Sequence, residues 1–207
     1  VGMAIRFVAL GRQSKDLKGE PCRFSDIRET CLQLGPDHAR QYVEMGIGRE
    51  ITREEACEIL DRAQEAGFIL QPENSLRPEA ICCCCGDCCV LLSSLIKAPK
   101  PADLYASNYF AVVDSAKCNG CGVCEERCQI QARAVVYGVA TTNLDRCIGC
   151  GNCVVTCPTG ACTLQRKPVT LVPPKDKNAT DLAILRRKRG SWKTLLTRAK
   201  MKLGMKV

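Results

Sequence analysis

Only one histidine, His38, occurs in the 207 residues, and aromatic residues make up 4% of the chain. A single imidazole excludes a Rieske centre and a C₂H₂ finger, each of which needs two, and no C-x-x-C-H haem attachment sequence occurs. No apolar run reaches the roughly 18 residues of a membrane-spanning helix. No N-terminal stretch joins a basic flank, an apolar run and a small-residue cleavage site, so nothing marks the chain as secreted. Val1 stands where a start methionine would, which leaves room for an element before residue 1. P-loop, Rossmann glycine loop and nucleophile elbow are all missing. Acidic residues are missing from 182–207, which carry nine Lys or Arg, whereas the other 181 residues hold 21 basic and 22 acidic groups. The net charge of +8 is therefore a property of the tail. The body has no basic face with interleaved aromatics, which argues against nucleic acid as a partner.

Cysteine is what the sequence has in abundance, with 18 residues. That density fits a disulfide scaffold or a metal protein. A chain of this length can bury a core without staples, and cysteines clustered two and three residues apart are too close for ordinary bridges within a cluster. Thiolate-held metal in a reducing compartment, and so a cytoplasmic location, is the expectation.

Three blocks are expected. Residues 1–107 form a small helical, cysteine-rich domain ending in the linker Lys97-Ala98-Pro99-Lys100-Pro101, whose prolines stop a preceding helix. Residues 108–166 form a compact repeat, and 167–207 a proline-bearing tail. The clearest helix runs from Thr52 to Ala66: Thr52 with Glu55 is a capping box, and Gly67 sits at the C′ position. Ala56, Ile59, Leu60, Ala63 and Ala66 share one face, with Cys57 beside it as a core residue. Shorter helices are predicted over Pro36–Met45 and Cys88–Ile96, and a strand over Phe68–Leu70. His38 is read as a surface residue.

The middle block repeats itself. Cys118-x-x-Cys121-x-x-Cys124-x-x-x-Cys128 recurs 29 residues later as Cys147-x-x-Cys150-x-x-Cys153-x-x-x-Cys157-Pro158. Each run follows a short β-rich stretch, Phe110–Asp114 and Ala134–Val139. The block resembles the bacterial-type ferredoxin domain with two [4Fe–4S] clusters. In that pattern three thiolates of a tight loop converge on one cubane, and the next cysteine reaches the other cluster. The resemblance implies one cluster on Cys118, Cys121, Cys124 and Cys157, and a second on Cys147, Cys150, Cys153 and Cys128. It also implies an α+β, ferredoxin-like (βαβ)2 fold. Gly120, Gly122, Gly149 and Gly151 suit loops that close on a cluster. Gln129 stands where the pattern has a proline, and Cys162 is expected to be a small buried hydrophobe.

A second concentration lies in Ile81-Cys82-Cys83-Cys84-Cys85-Gly86-Asp87-Cys88-Cys89. Six cysteines in eight positions cannot all face one metal, so a subset must ligate. A turn at Gly86-Asp87 before a helix brings thiols from both sides together, and a helix N-terminus favours the thiolate. The stretch is similar to the cysteine-rich domain that precedes dicluster ferredoxin domains in electron-transfer subunits of anaerobic redox complexes, with its I-C-x-C-C-x-x-C-C segment. That family's upstream C-x-C pair falls here at Ala9 and Gly11. A third metal site, iron–sulfur in character, is expected from Cys82, Cys84, Cys85, Cys88 and Cys89 with Cys22 or Cys31, while a zinc site or a redox disulfide is the alternative.

In the tail, Arg186-Arg187-Lys188-Arg189 precedes Trp192, Leu195, Leu196, Ala199 and Leu203 at helical spacing. Residues 186–207 read as a helix that docks on other redox subunits, with peripheral membrane contact open. The sequence thus describes an iron–sulfur electron-transfer protein, a non-catalytic subunit of a larger anaerobic oxidoreductase complex. A reductase with a catalytic cluster at residues 82–89, or a non-redox metal-stabilised interaction module, are the alternatives.

Overall fold

The computed structural model describes residues 2–189. The fold is mixed, with helices and antiparallel sheets in one chain, compatible with an α+β class. The chain divides into two compact units: residues 1–72 with 80–171, and the loop 73–79 with the chain from 172 onward.

The cysteine-rich block is built on a sheet, which corrects the expectation of helices packed on one another. Strands β1 (Met3–Arg6), β2 (Cys31–Leu34), β3 (Gly48–Glu50), β4 (Ile69–Pro72) and β5 (Ala80–Cys84) form a five-stranded antiparallel sheet in the order β3-β1-β2-β5-β4. Each is three to five residues long. That is too short for alternation to show in the sequence, and β5 consists largely of cysteine, which scores as neither strand nor turn.

Four helices accompany the sheet: α1 (Leu10–Leu17), α2 (Pro36–Glu44), α3 (Arg53–Glu65) and α4 (Val90–Lys97). α2 opens on Pro36, and Thr52 caps α3 by accepting the Glu55 N–H at 3.1 Å. Ala56, Ile59 and Ala63 bury one face of α3 against Ile5, Leu32 and Phe68. Cys57, expected in that core, is exposed, because it lies a third of a turn off the face. Pro101 is buried at the start of a one-turn helix, α5 (Pro101–Leu104), so the proline-bearing linker is a packed connection.

The repeat follows. Its elements are β6 (Tyr109–Val113), α6 (Val123–Glu126), β7 (Arg133–Val136), β8 (Val139–Thr142), α7 (Asn152–Val155) and β9 (Cys162–Arg166). The outer strands pair, with Tyr109 opposite Arg166 and Val113 opposite Cys162. The inner strands pair as a hairpin, Arg133 opposite Thr142 and Val136 opposite Val139. The expected β stretch at Ala134–Val139 thus spans most of β7, a turn on Tyr137 and Gly138, both at positive φ, and the first residue of β8.

Cys-rich block and repeat share one body. Ile69 and Leu92 pack with Ala111, Ile130, Ala132, Ala140 and Ile148. The carbonyls at the end of α3 are bound from the repeat: Arg127 donates to Gln64 at 2.7 Å and Glu65 at 2.8 Å, and Asn152 donates to Gly67 at 2.9 Å. Arg146 donates to the carbonyls of Ile96 and Ile130, each at 2.9 Å.

In the second unit, the Leu76 N–H donates to the Pro174 carbonyl at 2.8 Å, and Arg77 pairs with Asp176 at 3.3 Å. Helix α8 (Lys177–Arg189) begins there. The amphipathic stretch at 191–203 lies outside the described residues, as does most of the expected docking segment 186–207. No helix among the described residues is long and apolar enough to cross a membrane.

Candidate metal centres

Two cavities lie inside the repeat, each lined by four cysteines of the motif. Cys118, Cys121, Cys124 and Cys157 line the first, with Ala140, Pro158 and Cys162. Cys147, Cys150, Cys153 and Cys128 line the second, with Ala111, Ala132 and Ile148. Each cavity therefore draws three thiols from one run and the fourth from the other.

Both cavities follow from local geometry. Gly120 and Gly149 take φ of +68° and +67°. A Cβ on Gly120 would stand 2.4 Å from the Gly138 carbonyl oxygen, and one on Gly149 would stand 2.2 Å from that of Tyr109. Only glycine allows the loop to press so closely on the opposite half. The two halves also exchange backbone donors: Ala140 N–H points to Cys118 Sγ at 3.4 Å, and Ala111 N–H to Cys147 Sγ at 3.4 Å. A third N–H, of Ala132, points to Cys128 Sγ at 3.2 Å. Soft sulfur ligands grouped in fours, with backbone N–H groups aimed at sulfur and apolar walls, are a donor set suited to [4Fe–4S] clusters.

The charges around these thiols are uneven. Burial pushes Cys157 up, but the N–H groups of Cys162, Thr159 and Ala161 and the Thr159 hydroxyl outweigh it and bring it down to about 7. Cys153 is pushed up to about 12, by burial first and then by the thiols of Cys150, Cys128 and Cys147, against the pull of Arg133. Arg133 is 5% exposed, donates to Cys162 Sγ at 3.0 Å and also binds the Thr142 hydroxyl. Burial works against its charge, yet Cys124, Cys153 and Cys162 hold its pKa above the ordinary value. This cation stands by sulfurs of both cavities. Cys162 is buried, as expected, but its sulfur lies at a cavity wall and meets that guanidinium.

The cysteines at 82–89 separate into two groups. Cys82 faces Cys31 across β2 and β5, and Cys84, two residues on, shares that face of the strand. The thiols couple in sequence, Cys31 with Cys82, Cys82 with Cys84, and Cys84 with Cys89, the residue that precedes α4. The Cys31 thiol lowers Cys82, and the Cys84 thiol lowers Cys89, while Cys31 and Cys84 are raised in turn. Cys83 points to the opposite face and is buried in the core of the sheet domain.

The second group is Cys22, Cys85 and Cys88, whose sulfurs all lie within 4.8 Å of one another. Burial raises Cys22, but the N–H groups of Phe24 and Ser25 and the Cys88 thiol outweigh it and set it at about 7. Of the five cysteines expected at one site, Cys82, Cys84 and Cys89 thus fall in the first group and Cys85 and Cys88 in the second. Both groups border a cleft of about 370 Å³, roomier than either cavity of the repeat. Ala9 and Gly11 line it as well.

Several residues here carry roles that sequence reasoning did not assign. Gln129, in place of the pattern's proline, accepts the Gly86 N–H at 2.5 Å and donates to the Gly67 carbonyl. It ties the 82–89 turn to the repeat beside Cys128. Tyr105 is raised to about 12, by burial first and then by the thiols of Cys150 and Cys84. His38 is half-buried and bonds Gln33 at 2.8 Å, and Gln33 donates to Cys31 Sγ at 3.0 Å. The departure of Gln129 from the motif was the one visible signal among these. Tyr105 and the His38–Gln33–Cys31 chain depend on tertiary contacts that leave no trace in the sequence.

Residues 140–163, from β8 to the start of β9, match the family of 4Fe-4S binding domains. No curated protein matches the chain. Cys147, Cys150, Cys153 and Cys157 all lie in the matched stretch, which carries a [4Fe–4S]-binding domain of the ferredoxin type.

Proposed function

We propose that this protein is an iron–sulfur electron carrier that relays single electrons through two low-potential [4Fe–4S] clusters and a third iron–sulfur centre, as a subunit of a larger anaerobic oxidoreductase complex. The observation that carries this reading is the exchange of the fourth cysteine between the two cavities of the repeat. On this reading Cys118, Cys121, Cys124 and Cys157 hold one cluster and Cys147, Cys150, Cys153 and Cys128 the other. When bound, each cluster supplies a one-electron couple without proton chemistry.

The chain's own residues then set the couple. The N–H groups of Ala111, Ala132 and Ala140 and the Arg133 cation favour added negative charge at the sulfurs. Ile130, Ile148, Ala132 and Ala140 keep water away. Cys31, Cys82, Cys84 and Cys89 hold the third centre, and Cys84 and Cys89 pack against the same core as the cysteines of the repeat, which supports a path from the cleft into the repeat.

Anaerobic iron and sulfide analysis tests the reading. About twelve of each per chain is the expected result, and about eight of each would remove the third centre. Iron near zero would overturn the reading. Dithionite reduction should give EPR signals of reduced clusters. A second reading, in which the centre at the cleft is catalytic, draws on the cleft's size and on its exposed rim of Leu10, Val90 and Leu91. An EPR signal of that centre that shifts on adding candidate substrates would favour it.

A further inference from the structure

The geometry points to a mononuclear zinc site at Cys22, Cys85 and Cys88, distinct from every iron–sulfur centre of the chain. These are the only three His, Cys, Asp or Glu residues, among those described, whose ligand atoms all lie within 4.8 Å of one another. Cys22 Sγ and Cys85 Sγ are 3.6 Å apart. Thiolates bound about 2.3 Å from one tetrahedral ion stand about 3.8 Å from each other. Thiolates of a cubane bind different irons at separate corners and stand farther apart, as do the cysteines of the repeat, none of whose trios meets the 4.8 Å spacing. The spacing therefore selects one ion, and three hard-packed thiolates select a borderline-soft one.

A second observation requires negative charge at this place. Arg12 is 2% exposed, with its guanidinium over the Phe68 ring. Its hydrogen bonds go to the Ser25 carbonyl at 3.2 Å and to Cys85 Sγ at 3.7 Å, and no carboxylate among the described residues pairs with it. A buried cation needs an anionic partner. Three thiolates on a divalent ion leave a net charge of −1, which this guanidinium neutralises. Binding displaces the three thiol protons to solvent as the sulfurs coordinate.

Asp87 belongs to the surroundings of the site. Its Oδ1 accepts from Arg23 at 3.1 Å and faces Lys15 at 3.5 Å, and its Oδ2 accepts the Arg23 N–H at 3.1 Å. Its Oδ2 also lies 4.0 Å from Cys88 Sγ, so the fourth position on the zinc goes to an oxygen, of this carboxylate or of water. The ion ties the stretch after α1 to the 85–88 turn, 63 residues away in the chain, and so fixes the floor on which Cys84 and Cys89 are presented.

The site is separable from the electron-carrier reading by element. Full-length protein purified anaerobically should contain about one zinc per chain beside its iron, and zinc-edge X-ray absorption should fit three sulfurs at about 2.3 Å and one lighter atom. Cys22→Ser should lower zinc at least tenfold and leave iron and sulfide unchanged, with Cys57→Ser retaining both metals. Wild-type protein without zinc, a zinc edge lacking sulfur neighbours, or a Cys22→Ser variant that loses iron and sulfide would each overturn the assignment. The absorption measurement uses the wild-type chain, so a variant that failed to fold would not shield the proposal.

Discussion

Arg133 carries the largest single electrostatic consequence in the repeat. A guanidinium 5% exposed, beside sulfurs of both cavities, faces whatever charge the clusters gain on reduction. Removing a unit charge several ångströms away, at an effective dielectric of about 20, costs the reduced state about 2 kcal/mol. At about 59 mV per tenfold for one electron, Arg133→Met should lower both midpoint potentials by on the order of 80 mV. An EPR-monitored redox titration measures this directly, and potentials unmoved by the substitution would show that solvent already screens the charge. Single residues also mark how far the sequence could be read. The eight motif cysteines announce themselves by spacing, because ligands that must meet in one loop are local in the chain. Arg133 does not, since its partners Cys124, Cys153 and Cys162 are brought to it by α6, α7 and β9. Cys57 misled for a related reason: helical periodicity fixes a face, and a residue at its edge is decided by the neighbouring element.

Elements with capping and periodicity signals were legible, and elements defined by pairing were not. α3 begins at its Thr52 cap and buries the expected face. Thr52→Ala should cost about 1 kcal/mol and lower the melting temperature by about 3 °C in an anaerobic thermal scan. A change within error would mean that the Arg49–Glu55 and Arg49–Glu29 pairs, at 2.6 and 2.7 Å, hold the helix start without the cap. Of the five short strands only β4 was expected, over Phe68–Leu70; the others became visible only through their partners, and with them the face on which Cys31, Cys82 and Cys84 sit together. The turn after β5 is held from outside by Gln129. Losing the acceptor of a buried N–H costs about 1–3 kcal/mol, so Gln129→Ala should raise amide exchange over residues 82–89 by roughly ten- to a hundredfold. Exchange elsewhere in the repeat should stay level. An unchanged rate at Gly86 would show that this bond does not restrain the turn.

At the scale of the whole molecule, the repeat is not built to stand alone. Solitary packing would leave Ile130, Ala132 and Ile148 without Ile69 and Leu92, and Arg127, Asn152 and Arg146 without the carbonyls of Gln64, Glu65, Gly67 and Ile96. The sheet domain therefore backs Ile130, Ala132, Ile148 and Asn152, which line the second cavity, besides holding its own thiols. Burying a Leu or Ile side chain contributes about 1.5–3 kcal/mol, and each hydrogen bond about 1 kcal/mol, whereas a tenfold rate change needs only about 1.4 kcal/mol. A fragment of residues 108–171 should accordingly release its iron to a chelator at least tenfold faster than the full chain, followed by loss of the visible cluster absorbance. Equal rates would mean that the repeat closes on its thiols unaided, and that the contacts with α3 and α4 serve only to hold the sheet domain against it.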